Sequence, residues 1–383
     1  MPLGRRPSSA PLLPCAHWPG CLLTKRVPIR FGYCVPVFAS PGGALFRTPG
    51  LAQLDARSAV ESARLAEALG FDSLWVPDHL MLGQDQAVLE GWTTLAAIAG
   101  GTRRAQLGLI HQAHFFRHPS LAAKMIATLD QISGGRFVYF ADTGTRAAEH
   151  HAYGLDYPES MEARMPQFLE GLELTLKLWE SSADKPLTFA GRYYHVEGAV
   201  CAPPPVTRPH PPIWFGEAHP LTLDACARWG QGWNSAPVGL GEFRQRLAAL
   251  RVACQRAGRS FDDLEISFET QILIADTRDD VRGKLRQMLA LTPAGAAVPT
   301  DADFQAFVGG ATDEYPAFLT NGWLVGTPDE IAGQLRAFIE VGATHFLLWF
   351  MDAPDAHGMR LFAEKVAPAV KVAWSPLAPA GPA

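Results

Sequence analysis

The sequence predicts a single (β/α)8 barrel of the TIM type, an α/β fold. Three observations carry that reading. From Arg30 onward, short apolar strand-like runs alternate with helical periodicity. About eight such strand–helix units can be counted. No Gly-x-Gly-x-x-Gly follows the first strand, so an open dinucleotide-binding sheet is disfavoured. A chain of 383 residues, 48% of them hydrophobic, can bury a large core, and such barrels commonly run past roughly 250 residues as one domain.

The elements follow in order. Phe31–Val37 reads as the first strand, and Ser58–Leu69 as a helix stopped by Gly70, a natural C-cap. Ser73–Val76 is a short buried strand running into Pro77-Asp78-His79, with a helix over Thr93–Gly100 and a third strand over Ala105–Ile110. Pro119–Gln131 forms the next helix, and Gly134-Gly135 turns the chain into a fourth strand, Arg136–Ala141. Residues 142–163 are a long polar connection, longer than a plain linker needs. A periodic helix, Met165–Trp179, and a hairpin excursion within 181–211 come next. Strands at Pro212–Gly216 and Gly232–Asn234 enclose a helix at Pro220–Trp229. Leu240–Ala257 is helical, Leu264–Ala275 a strand and Asp276–Leu291 a helix. Residues 292–325 read as an insertion. Thr327 as N-cap and Pro328 at the first helical position start a helix to Glu340, and Thr344–Phe350 with His357–Val370 close the barrel.

The domain reading is therefore a disordered, irregular leader over 1–29, the barrel over 30–372, and a flexible tail over 373–383. In the leader, Pro11, Pro14 and Pro19 interrupt the apolar run that a secretory signal would need. A net charge of −5 gives no footprint for nucleic acid or an anionic membrane, and no segment has the length of a membrane span. Six scattered cysteines show no metal-type spacing, which fits a reduced, cytoplasmic chain.

Several short motifs, in order, resemble those of the bacterial luciferase-like monooxygenase superfamily. They are Leu107-Gly108-Leu109 through Phe116-Arg117-His118-Pro119, then Thr128-Leu129-Asp130 and Ser133-Gly134-Gly135-Arg136. Glu149 followed by Ala152-Tyr153-Gly154, and Phe189 through Tyr194, continue the likeness. Pro211 through Gly216, Gly232-Trp233-Asn234 and Val325 through Glu330 complete it. The resemblance implies a barrel binding FMN, or a deazaflavin in some branches, at the carboxyl ends of the strands. It also implies that 292–325 covers the site.

The same rule converts strand ends into candidate residues. Asp78 and His79 end the second strand and are the catalytic candidates. His79 suits a general acid or base, while the plainer reading has Asp78 capping the next loop with His79 packed beside it. His111 and Gln112 follow the third strand, where the family usually shows small or hydroxyl residues; they would line the pocket or bond the flavin edge. Asp142 and Thr143 end the fourth strand and either admit the cofactor closely or form a capped turn. Tyr153 would lie near the ribityl-phosphate end by the resemblance. Gly216, Ala218 and His219 precede a helix, whose amides suit a phosphate. Glu217, where a neutral residue is expected, would repel that phosphate unless it turns away or pairs with an arginine. His111, His114 and His118 have no continuous helix or partner carboxylate to make a metal site, so none is expected.

The function placed first is a monooxygenase: reduced FMN, supplied by a separate flavin reductase, and oxygen act on a small organic substrate. The alternative is a deazaflavin (F420)-dependent dehydrogenase or reductase that passes a hydride. A metal-dependent barrel hydrolase would need an H-x-H on a strand, and a non-catalytic flavin-binding relative would need a degenerate phosphate loop such as Glu217 provides. A homo-oligomer is expected from the resemblance.

Overall fold

The computed structural model describes residues 28–374. The expected leader, apart from Pro28 and Ile29, and the expected tail beyond Trp374 lie outside the described residues. Eight parallel strands close into a ring: β1 (Arg30–Cys34), β2 (Ser73–Val76), β3 (Gln106–Leu109), β4 (Phe137–Asp142), β5 (Ile213–Gly216), β6 (Gly232–Ser235), β7 (Glu265–Ile274) and β8 (His345–Phe350). Each strand pairs with its successor, and β8 returns to β1 with Arg30 opposite His345. The predicted barrel is therefore the observed one.

Helices α1 (Ala56–Ala68), α2 (Gly91–Gly101), α3 (Pro119–Ser133), α4 (Met161–Trp179), α5 (Pro220–Trp229), α6 (Leu240–Arg256), α7 (Pro328–Val341) and α8 (His357–Leu361, continued helically to Trp374) form the outer layer. Their ends follow local chemistry. Gly134 takes the left-handed conformation at φ 69° beyond α3, and Thr327 and Glu330 form a reciprocal capping box with Pro328 inside it. Helix α4 starts a turn earlier than the sequence predicts, because the Ser160 hydroxyl accepts from the Ala163 amide. The closing helix runs beyond residue 372 to Trp374. The hairpin of 181–211 is antiparallel, Leu187–Ala190 against His195–Ala199.

The lumen of the barrel is solid. Trp75 from β2 and Trp214 from β5 lie 5.1 Å apart inside it. Room for each indole comes from a glycine on the neighbouring strand. A Cβ on Gly108 would sit 2.2 Å from the Trp75 ring, and one on Gly232 would sit 2.4 Å from Trp214 Nε1. Below the indoles, Trp75 Nε1 donates to Ser73 Oγ at 2.7 Å, Ser73 Oγ meets His345 Nε2 at 2.7 Å, and His345 Nδ1 meets Glu265 at 2.8 Å. Every buried polar atom in that chain thus has a partner.

The insertion has a core of its own. Phe304, Phe307, Val308 and Leu319 pack with Val281, Leu285 and Met288 of the helix Arg278–Ala290, and with Leu45 from the loop after β1. Phe304, Phe307 and Val308 stand at helical spacing in Ala302–Gly309. None of residues 292–325 lines the pocket at the mouth, contrary to the expected cover. Their buried aromatics are instead spent on bracing the β1–α1 loop, where the Gly43 amide donates to Thr292 Oγ1 at 2.9 Å.

If the glycine fit is what admits the indoles, Gly108→Ala should lower unfolding free energy by about 1–3 kcal/mol or more through overpacking. Urea unfolding of the purified variant checks this, and an unchanged midpoint would refute it.

Candidate functional site

With the lumen filled, the mouth at the carboxyl ends of the strands is where a ligand can enter. A pocket there is lined by Asp78, His79, His111, Ala113, Phe116, Asp142, Gly144, Thr145 and Arg146. Four of the sequence-selected residues, Asp78, His79, His111 and Asp142, are brought together in it.

His79 is held by Glu149. Its Nδ1 lies 2.9 Å from Glu149 Oε1, while Glu149 Oε2 accepts from the Leu80 amide at 2.7 Å and the Met81 amide at 3.3 Å. Arg146 Nε reaches the same carboxylate at 2.8 Å. Burial by itself would raise the Glu149 carboxyl, but the His79 ring and the two amides outweigh it and hold it below its ordinary value. An ionised carboxylate can only accept, so His79 Nδ1 is the donor and its Nε2 is left as the basic nitrogen.

Asp78 is spent differently. Arg117 grips it with two nitrogens at 2.7 and 2.8 Å, and the Ala113 amide donates to it at 3.0 Å. Its carboxylate anchors the loop after β3, close to the plainer role that its position allowed.

His111 lies over the ring of Phe140 at 4.4 Å between centroids. Its Nδ1 is 3.8 Å from Asp142, and its Nε2 is 3.7 Å from Glu269 and 3.5 Å from the Asn234 amide nitrogen. Asp142 accepts from the Gly144 amide at 2.6 Å. Glu269 is in turn bound by Arg47 at 2.9 Å and Trp349 Nε1 at 2.8 Å.

The other candidates are scattered. Gln112 is buried, and its Oε1 has no partner. Thr143 is buried beside the lining residues and bonds Met161 Sδ at 3.7 Å. Tyr153 is 56% exposed with its hydroxyl on the Leu80 carbonyl, so it stands outside the pocket. Gly216 is at the mouth: a Cβ there would lie 3.0 Å from Phe140 and 3.6 Å from His111 Nε2. His219 caps α5 by accepting from the Leu221 amide at 3.3 Å, and Ala218 precedes it, neither lining the pocket. Glu217 takes φ 68° and turns its carboxylate onto Arg246 at 3.2 Å, so the expected clash with an anion is relieved by an arginine. Burial raises the Glu217 carboxyl, against the pull of His111 and Arg246.

Three buried polar atoms near the mouth lack partners: Gln112 Oε1, His150 Nε2 and Arg164 Nε. His150 donates Nδ1 to the Arg146 carbonyl at 3.0 Å, and its free Nε2 lies 3.5 Å from where a Gly144 Cβ would be. Arg164 meets only the carbonyls of Pro158 and Glu159, the Met161 sulfur and the face of Tyr157. Such orphans fit a hydrogen-bonding cofactor that carries a phosphate. Among the described residues no group of three or more ligating side chains could hold a metal ion, and no helix is long and apolar enough to cross a membrane.

Sequence reasoning missed Glu269, Arg47, Arg164 and the ionic role of Glu149. Glu265, Ser267, Glu269 and Gln271 alternate with Ile266, Phe268 and Ile272 on β7. Polar side chains at period two in a parallel barrel strand were the available signal for Glu269.

His114, beside this site but facing away, is buried and meets the Tyr194 hydroxyl at 2.8 Å. Burial, and then the neighbouring His118, lower its imidazole from 6.5 to about 3. Its unfolded form takes up a proton below 6.5 that the folded form refuses, so this contribution is full above 6.5 and lost as pH falls toward about 3. Unfolding free energy should drop by about 2 kcal/mol more in wild type than in His114→Phe between pH 7.5 and 5. Parallel urea titrations at the two pH values measure the difference; equal slopes would remove His114 as the cause.

A family model described as luciferase-like monooxygenase matches residues 29–345. An F420-dependent glucose-6-phosphate dehydrogenase of Nakamurella multipartita is 28% identical over 90% of this chain and 97% of its own. An F420-dependent hydroxymycolic acid dehydrogenase of Mycobacterium tuberculosis is 27% identical, covering 77% of this chain and 79% of its own. The crystal structure of a monooxygenase from Streptomyces bottropensis superposes with a TM-score of 0.67 at 25% identity, covering 89% of this chain and 99% of the other.

Proposed function

Because the chain belongs to the luciferase-like monooxygenase family and is an oxidoreductase of it, we propose that it is a deazaflavin (F420)-dependent dehydrogenase or reductase. The observation that carries this is the likeness to F420-dependent dehydrogenases along 90% of the chain, at the identity given above. Oxygenation by reduced FMN, placed first from the sequence, yields to the hydride-transfer alternative on that ground.

When bound, the deazaflavin supplies the acceptor for a hydride leaving a carbinol carbon as the hydroxyl proton passes to the protein and a carbonyl forms. His79 takes that proton on Nε2, and the reverse direction returns it. Glu149 orients the ring and compensates the charge that the proton brings. Asp78, gripped by Arg117, keeps the loop bearing His111 in place as a positioning residue. Gln112 and His150 would offer acceptors to the cofactor's N–H and O–H groups. Arg164, with the amides of Ala218 and His219 at the start of α5, takes the phosphate end.

His79→Ala should slow single-turnover reduction of the bound deazaflavin by about 10²- to 10⁴-fold, with cofactor affinity and melting temperature close to wild type. Stopped-flow absorbance with a turnover substrate measures the first, and fluorescence titration the second. An unchanged reduction rate would take His79 out of the proton transfer.

A further inference from the structure

Arg146 is the one guanidinium among the described residues that line the pocket, and it is only partly engaged. Its Nε lies 2.8 Å from Glu149 Oε1, its single ionic contact. Neither Nη nitrogen meets a protein acceptor among the described residues, and the side chain is 40% exposed. Elsewhere at the mouth Arg117 and Arg246 each hold two acids, Asp78 with Glu90 and Glu217 with Glu242.

Glu149 does not need the rest of the Arg146 guanidinium. It is buried, and the His79 ring with the amides of Leu80 and Met81 already supplies donors to both of its oxygens. Arg146 stands at the start of the short helix Ala147–Ala152, with Gly144 and Thr145 beside it on the pocket wall. Its Nη edge therefore keeps paired N–H donors for a ligand, in the fork geometry that grips a carboxylate with two bonds.

Two features bear on the kind of anion. His79 Nδ1 and Arg146 Nε share one oxygen, Glu149 Oε1, at 2.9 and 2.8 Å, so the proton acceptor and the fork stand side by side. An anion on the fork is then only a few bonds from a hydroxyl that reaches His79. The charge of Arg146 is also partly cancelled by Glu149. Asp142 lines the same pocket, with the His111 ring 3.8 Å away. That balance suits a single negative charge better than a phosphate monoester, which brings about two.

We propose that Arg146 is a specificity-determining residue, and that the substrate is a hydroxy acid whose carboxylate lies on the carbon next to the reacting one or on the carbon after that. The oxo acid is its counterpart in the reverse direction. This rests on the hydride-transfer reading: the C–H hydride leaves for the deazaflavin and the O–H proton for His79 Nε2 as the carbonyl forms.

The test compares each acid with its own amide. Deazaflavin-loaded protein is mixed with lactate or lactamide, and with 3-hydroxybutyrate or 3-hydroxybutyramide. Stopped-flow absorbance gives KM and the saturating rate of deazaflavin reduction, and calorimetry gives affinity where no reduction occurs. In wild type at least one acid should surpass its amide about tenfold or more in kcat/KM or in affinity. Arg146→Gln should abolish that preference, chiefly through KM, and Arg146→Lys should restore part of it. Taking the ratio within each variant cancels any disturbance passed through Glu149 to His79. No preference for either acid in wild type overturns the inference, and so does a preference that survives Arg146→Gln. If that variant instead loses deazaflavin affinity with the preference intact, the fork belongs to the cofactor and the proposal fails. Glucose 6-phosphate taken more readily than both acids overturns the choice of a singly charged group. Failure of the wild-type protein to load the deazaflavin is a separate result, seen before any substrate is added, and counts against the hydride-transfer reading itself.

Discussion

Two indole rings 5.1 Å apart, Trp75 and Trp214, decide where this protein can act. They fill the lumen, and the Ser73–His345–Glu265 chain satisfies the polar atoms beneath them. Nothing can pass through the barrel, so a ligand meets only its mouth. The fit depends on Gly108 and Gly232, where any side chain would strike an indole. Large against small across adjacent strands is how a closed parallel sheet fills its centre without strain.

Above that plug the residues are organised by carboxylates. Glu149 joins the loop after β2 to the segment after β4, fixing His79 through its ring and its neighbours' amides. Asp78 does the same for the loop after β3 through Arg117. Glu269 draws in Arg47 from the β1–α1 loop, which the insertion braces from outside. These three loops are thus tied to strand ends by ion pairs and by hydrogen bonds from backbone amides, the rigidity that a site for chemistry needs. The insertion acts on the site at one remove, through the loop that it supports.

The parts of the fold written in local sequence were legible in advance. Apolar runs of strand length, the Thr327–Glu330 box and the Gly134 cap depend on neighbours a few residues away. Strand ends then gave His79, His111 and Asp142 without any tertiary information, because a parallel barrel places its chemistry there. What the sequence could not supply were partnerships across long separations. Glu149 lies 70 residues from His79, and Glu217 lies 29 from Arg246. Tyr153, chosen by motif, is largely exposed, and its hydroxyl is bound to the Leu80 carbonyl. The insertion offers little helical pattern to read, since its buried face, Phe304, Phe307 and Val308, spans barely two turns.

We propose that the mouth serves a hydride-accepting deazaflavin and not oxygen chemistry on FMN. Anaerobic titration of one sample with the deazaflavin and with reduced FMN, followed by admission of oxygen, tests it most directly. The account predicts at least about tenfold tighter binding of the deazaflavin, and no oxygen-dependent absorbance transient. Tighter binding of reduced FMN, with such a transient on mixing with oxygen, would contradict it.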